Sequence, residues 1–388
     1  KIAWRNIIRF KWTSAINIFG LSAGMAAAIM LYIYISHERS FDRFHENGDR
    51  VFRVITHFSG AMESTLPRAF PVLGQLARDG SPQVIDYCRV KNENDTYKRG
   101  DEEYKRITTL MVDSVFPDFF SFPVQRGNLR AALSNPQAIV LTAGLAERIF
   151  GDEDPLGEVI QVTQTAFDEE LGRWSSRFIP VRIEAIMEDP PNNTMLQFDA
   201  LMSYEAYDPQ WVEGFSNDVF VFLKTETDNP DLQPVADIYK EFFVEMEERG
   251  MILSHTFQPL PKIHFGPEYG YDIGARGNLQ LILIFAAVAA FIIVIAVINF
   301  VNLVTARSEK RAIEASIRKV SGASRRDITG QFLGESILMS LISFLVAMVL
   351  VELLLEPFAA LLYRELSLSW KDSIALFFRL LGFVVLIG

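Results

Sequence analysis

The fold is decided by the stretch LQLILIFAAVAAFIIVIAVINFVNLVTARSEKRAIEASIRKVSGASRRD, residues 279–327, together with the apolar run at 328–355 that follows it. Residues 279–306 carry no charge over 28 positions, more than the roughly 20 that a helix needs to cross a hydrocarbon core. The link at 307–327 has seven Lys or Arg residues against three acids. Because an excess of basic residues is typical of cytoplasmic loops, the pattern predicts two transmembrane helices joined on the cytoplasmic side.

The link itself is predicted to form a short amphipathic helix. Ile313, Ile317 and Val320 recur at helical spacing, and Gly322 follows them as a C-cap. A solvated loop that only satisfies the positive-inside rule is the simpler alternative. An apolar stripe outside the bilayer, followed by a glycine stop, favours instead a docking surface for a cytoplasmic partner.

The sequence NFVNLVTARSEKRAIEASIRKVSGAS at 299–324, continuing to QFLGES at 331–336, resembles the signature of the FtsX/MacB family of ABC transporter permeases. In that family a segment of this pattern forms the coupling helix that sits on the ATPase subunit. The matching residues are Arg311, Glu314, Arg318, Lys319, Gly322, Ala323 and Ser324. Ala315 and Ser316 depart from the pattern, since the family usually has a branched apolar residue and a glycine there. The resemblance implies ATPase-coupling residues at Arg307, Arg311, Ile313, Glu314, Ile317, Arg318, Lys319, Val320, Gly322, Ala323 and Ser324.

The composition indicates membrane spans plus a sizeable aqueous domain. Of the 388 residues, 49% are hydrophobic and 22% charged, and the mean hydropathy is positive. The single cysteine, Cys88, excludes an internal disulfide. No Gly-x-x-x-x-Gly-Lys-Ser/Thr motif occurs, so we expect ATP and its Mg²⁺ on another polypeptide, with no cofactor bound by this chain. The sequence starts at Lys1 and stops at Gly388 inside an apolar run, and both ends are expected to be truncated.

The first apolar run predicts a transmembrane helix at 13–36, which enters from a basic cytoplasmic segment at 1–12. A cleaved signal peptide is the alternative, but its apolar core would span only about 7–15 residues, and no small-x-small cleavage site follows. Gly20, Gly24 and Ala28 form a small-residue face that permits close helix packing. Ordinary use of glycine in membrane helices remains an alternative. The expected partner of this face is a helix of a second permease copy or of the second half of a longer chain.

Residues 37–278 form a hydrophilic insert with 23 basic and 40 acidic residues, predicted to be extracytoplasmic because it lies opposite the basic segments. Its acidic charge argues against binding nucleic acid or anionic lipid. Strands and helices alternate along it, which predicts an α/β or α+β domain of two lobes. The expected elements are strands near 51–57, 83–90 and from 178, helices near 67–79 and 232–248, and a strand–helix–turn–strand unit at 139–160.

The 139–160 unit and the turn DPPNNT at 189–194 are similar to motifs of the MacB periplasmic core domain. The predicted fold class is therefore a multi-pass α-helical membrane protein with a large two-lobed α/β (α+β) domain inserted between the first and second transmembrane helices. Residues 328–355 predict a third transmembrane helix, 356–372 a short periplasmic loop and 373–388 the start of a fourth helix. The resemblance makes 279–388 an FtsX-like permease domain.

Glu335, near the cytoplasmic end of the third helix, is a candidate salt-bridge partner for the coupling helix, because charges within spans are costly and tend to be functional. The alternative is a side chain that snorkels to the interface. Arg379 in the fourth helix is a candidate of the same kind. No catalytic, cofactor-binding or metal site is predicted, because the five histidines share no metal-ligand spacing and no nucleophile elbow occurs.

The resemblance covers nearly the whole chain, and particularly the large Bacteroidota-type members, in which a second similar half often follows. It implies a permease subunit of a MacB-like system in a bacterial inner membrane, which transmits ATP-driven motion and extrudes a peptide, lipoprotein or toxic compound. The implied partners are a cytoplasmic ABC ATPase, a second permease copy or half, membrane lipid and, for export, a periplasmic adaptor and an outer-membrane channel. Two alternatives remain open: an FtsX-type regulator that activates a periplasmic hydrolase or signalling partner without transport, and a stand-alone sensor or adhesin.

Overall fold

The chain divides into two compact units, each with its own packing. The structure is a computed structural model that describes residues 11–60, 63–168, 173–206, 218–248, 250–305, 316–317, 319–320, 324–362, 364, 366 and 382. We call Lys1–Arg39 together with Asn278–Gly388 the helix unit, and Ser40–Gly277 the sheet unit. The sheet unit corresponds to the insert predicted at 37–278.

The described elements are numbered in chain order. The helices of more than three residues are α1 Lys11–Arg39, α2 Val72–Gly80, α3 Phe116–Phe119, α4 Leu129–Leu133, α5 Ala143–Phe150, α6 Gln233–Phe242, α7 Val244–Glu248, α8 Leu279–Thr305 and α9 Arg325–Leu361. The strands are β1 Val51–Gly60, β2 Ser64–Leu66, β3 Val84–Arg99, β4 Glu102–Val112, β5 Val124–Gly127, β6 Ala138–Thr142, β7 Val159–Asp168, β8 Arg173–Met187, β9 Ala200–Ser203, β10 Phe220–Thr225 and β11 Met251–Pro259.

All eleven strands belong to one mixed sheet. Its order is β11-β1-β10-β3-β4-β9-β6-β8-β5, with β2 paired to β1 and β7 paired to β3 and β8. The pairs β4–β9 and β6–β8 are parallel, and the other pairs are antiparallel. The strands that begin and end the sheet unit, β1 and β11, are direct neighbours, with Phe52 opposite Pro259.

A hydrophobic layer covers each face of this sheet. Alternate residues of a strand point to opposite faces, and Val54 and Leu223 belong to one buried cluster whereas Val51 and Phe222 belong to the other. The described strands thus form one continuous sheet with a hydrophobic layer on each side, and the division into two lobes stays a prediction.

Of two local predictions for the sheet unit, one is confirmed and the other needs a later start. The unit predicted at 139–160 is β6, α5, a turn and β7, with Thr142 capping α5 and Gly151 ending it at a φ of +59°. The helix predicted at 67–79 begins later, at Val72. Ala69 donates its N–H to the Val219 oxygen at 2.8 Å in an isolated bridge, so its backbone is extended rather than helical.

The helix unit contains the long apolar helices that the sequence predicts. Within the described residues, three helices are long and apolar enough to cross a membrane, at Ser14–Arg39, Leu279–Asn302 and Ile328–Leu361. The predicted start of the loop, residue 356, is too early, because α9 continues through Pro357 to Leu361. The residues that directly follow Glu356 are apolar. Residues 1–10 and, except for Gly382, the predicted fourth helix with Arg379 lie outside the described residues.

Candidate functional site

The small-residue face of α1 packs against α8 of the same chain. A Cβ built on Gly24 would lie 2.8 Å from Ala296 Cβ, and one built on Gly20 would lie 3.1 Å from Asn299 Nδ2. Tyr34 meets Phe285 edge-on farther along the same two helices. The prediction that this face supports close packing is confirmed. The prediction that a second permease copy covers it is wrong for Gly20 and Gly24, because α8 already occupies the space.

Glu335 is buried inside the helix unit. Its exposed fraction is 4%, so it does not reach the surface of the unit as the snorkelling alternative requires. The salt bridge predicted between Glu335 and the coupling helix stays a prediction, because Arg311 and Arg318 lie outside the described residues. Ser14 and Asn17 on α1 are also buried polar side chains.

The coupling segment is described at four of its eleven predicted positions. Arg307, Arg311, Ile313, Glu314, Arg318, Gly322 and Ala323 lie outside the described residues. Residues 316–317 and 319–320 are helical, as predicted for this segment, and Ser324 directly precedes α9. The exposed fractions of Ile317 and Val320 are 62% and 91%. Two apolar side chains of the predicted stripe, together with Lys319, are therefore presented on the surface of this chain.

An ion pair joins the end of α1 to Arg364, which follows α9, and the sequence did not indicate it. Arg364 donates from Nε to Glu38 Oε1 at 2.7 Å, and the Glu38 side chain is fully buried. These residues are 326 positions apart. Both carry charges in segments of mixed sign, so no local signal paired them.

A second buried charge cluster lies at the end of the sheet unit that leads into α8. Arg53 on β1 is fully buried and contacts Asp272 Oδ1 at 2.5 Å and Gln258 Oε1 at 2.8 Å. Arg276 forms an ion pair with the same Asp272 carboxylate. Burial lowers the pKa of Arg53 to about 10, and burial together with the neighbouring Arg53 charge lowers the pKa of Arg276. Two guanidinium groups thus share one carboxylate in a desolvated environment.

The residues that directly follow α1 are anchored as well. Asp42 accepts hydrogen bonds from Thr194 Oγ1 at 2.5 Å and from the Met195 N–H at 3.1 Å. The Phe41 ring stacks on the His264 ring with centroids 3.6 Å apart. His264 Nδ1 lies 2.9 Å from the Ala275 oxygen, so this nitrogen carries the proton and donates it. These contacts tie the first residues of the sheet unit to its last.

Other buried titratable groups in the sheet unit also have shifted pKa values. Burial lowers the pKa of His255 to about 4, assisted by His57, and burial raises the pKa of Asp95 to about 6. Burial also raises the pKa of the Cys88 thiol well above its ordinary value. Among the described residues, no three His, Cys, Asp or Glu side chains are grouped to hold a metal ion.

Two family models match the chain. The model of the MacB-like periplasmic core domain matches residues 14–235, more than half of the sequence. The model of the FtsX-like permease C-terminal domain matches residues 286–388. The first match includes most of α1 and most of the sheet unit, and the second includes most of α8, the coupling segment and α9.

Curated relatives are named as export proteins. The macrolide export ATP-binding/permease protein MacB of Bdellovibrio bacteriovorus is 24% identical over 274 residues, which cover 71% of this chain and 38% of that protein. The pyoverdine export ATP-binding/permease protein PvdT of Pseudomonas syringae pv. tomato is 22% identical over 389 residues, which cover 96% of this chain and 53% of that protein. The chain thus spans about half or less of the length of these relatives.

Solved structures also match. A domain assigned to a permease of Porphyromonas gingivalis gives a TM-score of 0.44 at 16% identity, covering 62% of this chain and 98% of that domain. The periplasmic region of MacB from Actinobacillus actinomycetemcomitans gives a TM-score of 0.37 at 11% identity, covering 53% of this chain and 88% of that region.

Proposed function

The chain belongs to the MacB/FtsX family of ABC transporter permeases, and we propose that it carries ATP-driven motion across a bacterial inner membrane for export of a periplasmic cargo. The sheet unit is its MacB-like periplasmic core domain. The match of the core-domain model to residues 14–235 carries the proposal. The three long apolar helices and the export relatives support it.

In this proposal the coupling segment docks on a cytoplasmic ABC ATPase. Ile317 and Val320 are exposed apolar side chains on a helical segment, and such a stripe needs a hydrophobic groove to cover it. Lys319 and the other basic residues of the segment would face acidic groups of the partner, which contributes orientation and association rate more than affinity. Binding and hydrolysis of ATP with Mg²⁺ are assigned to the partner, because this sequence has no P-loop.

Motion of the docked ATPases would then displace the membrane helices and, through them, the periplasmic sheet unit. The assembly we propose has a second permease copy or half, and an adaptor and an outer-membrane channel receive the cargo. The cargo class is a peptide, a lipoprotein or a toxic small compound. The regulator alternative is not favoured, because the matched relatives are named for export.

Ile317→Asp tests the docking step. It would place an unpaired carboxylate against the apolar groove of the ATPase. Burying such a charge weakens binding by on the order of several kcal/mol. We expect the variant to reach the membrane at the normal level but to lose co-purification of the ATPase. Ile85→Asp is the matched control, because Ile85 is a similarly exposed isoleucine in the sheet unit. Retention of the ATPase by Ile317→Asp, at wild-type stoichiometry, would show that the coupling assignment is wrong.

A further inference from the structure

The polypeptide enters and leaves the sheet unit through two segments that have little regular structure. The first link, Ser40–Arg50, connects the end of α1 to β1, and the second link, Leu260–Gly277, connects β11 to the residue before α8. Irregular segments of this length are flexible unless side chains tie them down. A flexible link would absorb a displacement of the helix attached to it instead of passing it on.

The first link is held against the turn that follows β8. Asp42 accepts from Thr194 Oγ1 and from the Met195 N–H, and its own N–H donates to the Asn193 oxygen at 2.9 Å. Asn193 Nδ2 also donates to the Ser40 hydroxyl oxygen at 2.9 Å. Both the backbone and a fully buried carboxylate of this link are therefore fixed.

The second link is held by the sheet and by its own closure. Asp272 lies between Arg53 of β1 and Arg276. Gly277 donates its N–H to the His264 oxygen at 2.9 Å, which closes the link into a loop just before the helix begins. Gly274, at a φ of +79°, lies so close to Met195 that a Cβ at this position would overlap the Met195 backbone.

The two links share their anchors. Met195 donates to Asp42 of the first link, and its backbone touches Gly274 of the second. Phe41 of the first link stacks on His264 of the second. The links also continue into β1 and β11, which pair along their lengths. A displacement of either link would therefore be delivered to the same place in the sheet.

We propose that Phe41, Asp42, Arg53, Thr194, His264 and Asp272 form a junction that makes both links move as one body and so passes the motion of α1 and α8 into the sheet unit. The inference rests on the proposed function and names the positioning residues for its periplasmic step. The charge cluster suits this role, because buried ion pairs add little net stability yet are costly to rearrange. Arg53 Nε has no hydrogen-bond partner, so the cluster is not optimised for stability.

Spin labels on the permease–ATPase complex, purified from native membranes into nanodiscs, test the junction. Cys88 is buried with a raised pKa, so a single introduced cysteine is labelled selectively. Lys105→Cys reports on the sheet unit, and Tyr32→Cys reports on α1, since both side chains are exposed. Distances between the labels of two permease copies are measured without nucleotide and after trapping with ATP and vanadate.

The junction variants are Asp272→Asn and the milder Thr194→Val, which removes only one hydroxyl donor. Asp113→Asn is the matched control, because it breaks the Arg89–Asp113 ion pair of the same unit, outside the junction. We expect wild type and Asp113→Asn to change distance at both labels on trapping. The junction variants should keep ATP turnover and the response at position 32 but lose the response at position 105. Loss of stability alone would affect Asp113→Asn in the same way, so the control separates a positioning role from a structural one.

Two results overturn the inference. A full response at position 105 in both junction variants would show that the motion takes another route. A wild-type response at position 32 without one at position 105 would show that the sheet unit does not follow the helices, although the proposed coupling to ATP would stand. If neither wild-type label responds, the proposed function fails and the junction assignment fails with it.

Discussion

Gly24→Ala is expected to push α1 away from α8. A Cβ at position 24 would lie 2.8 Å from Ala296 Cβ, whereas two carbon atoms in favourable contact lie about 3.5–4.0 Å apart. The two helices must therefore separate locally by roughly 1 Å, and overpacking of this kind costs about 1–3 kcal/mol. The same contact gives the reason why the position is glycine.

Two further variants isolate the contact. Gly334→Ala on α9 is the matched control, because a Cβ there meets no atom within 4 Å, and alanine is favoured over glycine inside a helix by roughly 0.5–1 kcal/mol. The double variant Gly24→Ala with Ala296→Gly removes the methyl group that the new Cβ would meet. It should regain most of the stability that Gly24→Ala loses, which a double-mutant cycle measures as a coupling energy.

The assay is the loss of helicity of the full chain in mixed micelles titrated with SDS. We expect a lower free energy of unfolding for Gly24→Ala, an unchanged or higher value for Gly334→Ala, and recovery in the double variant. Equal behaviour of Gly24→Ala and Gly334→Ala, or no recovery with Ala296→Gly, would refute the packing argument. Crosslinking between the first helices of two copies should not respond to Gly24→Ala, in contrast to the sequence-based expectation.

The remaining predictions concern buried charges. The unfolded chain binds more protons than the folded one at His255, whose pKa falls from 6.5 to about 4, so stability is lost as pH drops through this range, by roughly 3 kcal/mol in all. At Asp95, whose pKa rises from 3.8 to about 6, stability is instead lost as pH rises. The two variants should therefore differ between pH 4 and 6. In His255→Phe, which retains Asp95, hydrogen exchange of the sheet unit should show stability falling as pH rises. In Asp95→Asn, which retains His255, it should show stability increasing as pH rises, and parallel profiles would contradict this. Glu38→Gln should lower the free energy of unfolding of the helix unit by about 3–5 kcal/mol in the SDS titration, because it leaves Arg364 without its carboxylate partner. The double variant Glu38→Met with Arg364→Met should regain most of that free energy, because it removes both charges. Equal losses of free energy in the two variants would contradict this.

The spacing of the apolar runs and the local turn signals were sufficient to predict many of the elements. The uncharged run at 279–306 corresponds to α8, which the structure describes over Leu279–Thr305. Length and hydropathy were sufficient to predict it, because they decide whether a helix can span a membrane. The cap at Thr142 and the turn glycine at Gly151 placed α5 and its end, since capping and positive φ depend on residues only a few positions apart. The helical state at 316–317 and 319–320 likewise follows from local spacing.

Which surfaces cover each other was not available from the sequence. Periodicity indicated that Gly20 and Gly24 form a packing face, but only the tertiary structure assigned α8 to it instead of a second copy. It also showed that the described strands share one sheet, because strand pairing such as β4 with β9 joins segments far apart in the chain.

The amino-acid sequence by itself determined where this chain has apolar helices, a basic link and an acidic α/β insert, because each is a property of neighbouring residues. The tertiary structure alone decided that Arg53 meets Asp272, 219 positions away, and that Phe41 stacks on His264. Such pairs depend on the sheet, in which β1 and β11 are neighbours. A buried charge or ring then takes whichever partner the topology places beside it, and no local pattern encodes that choice.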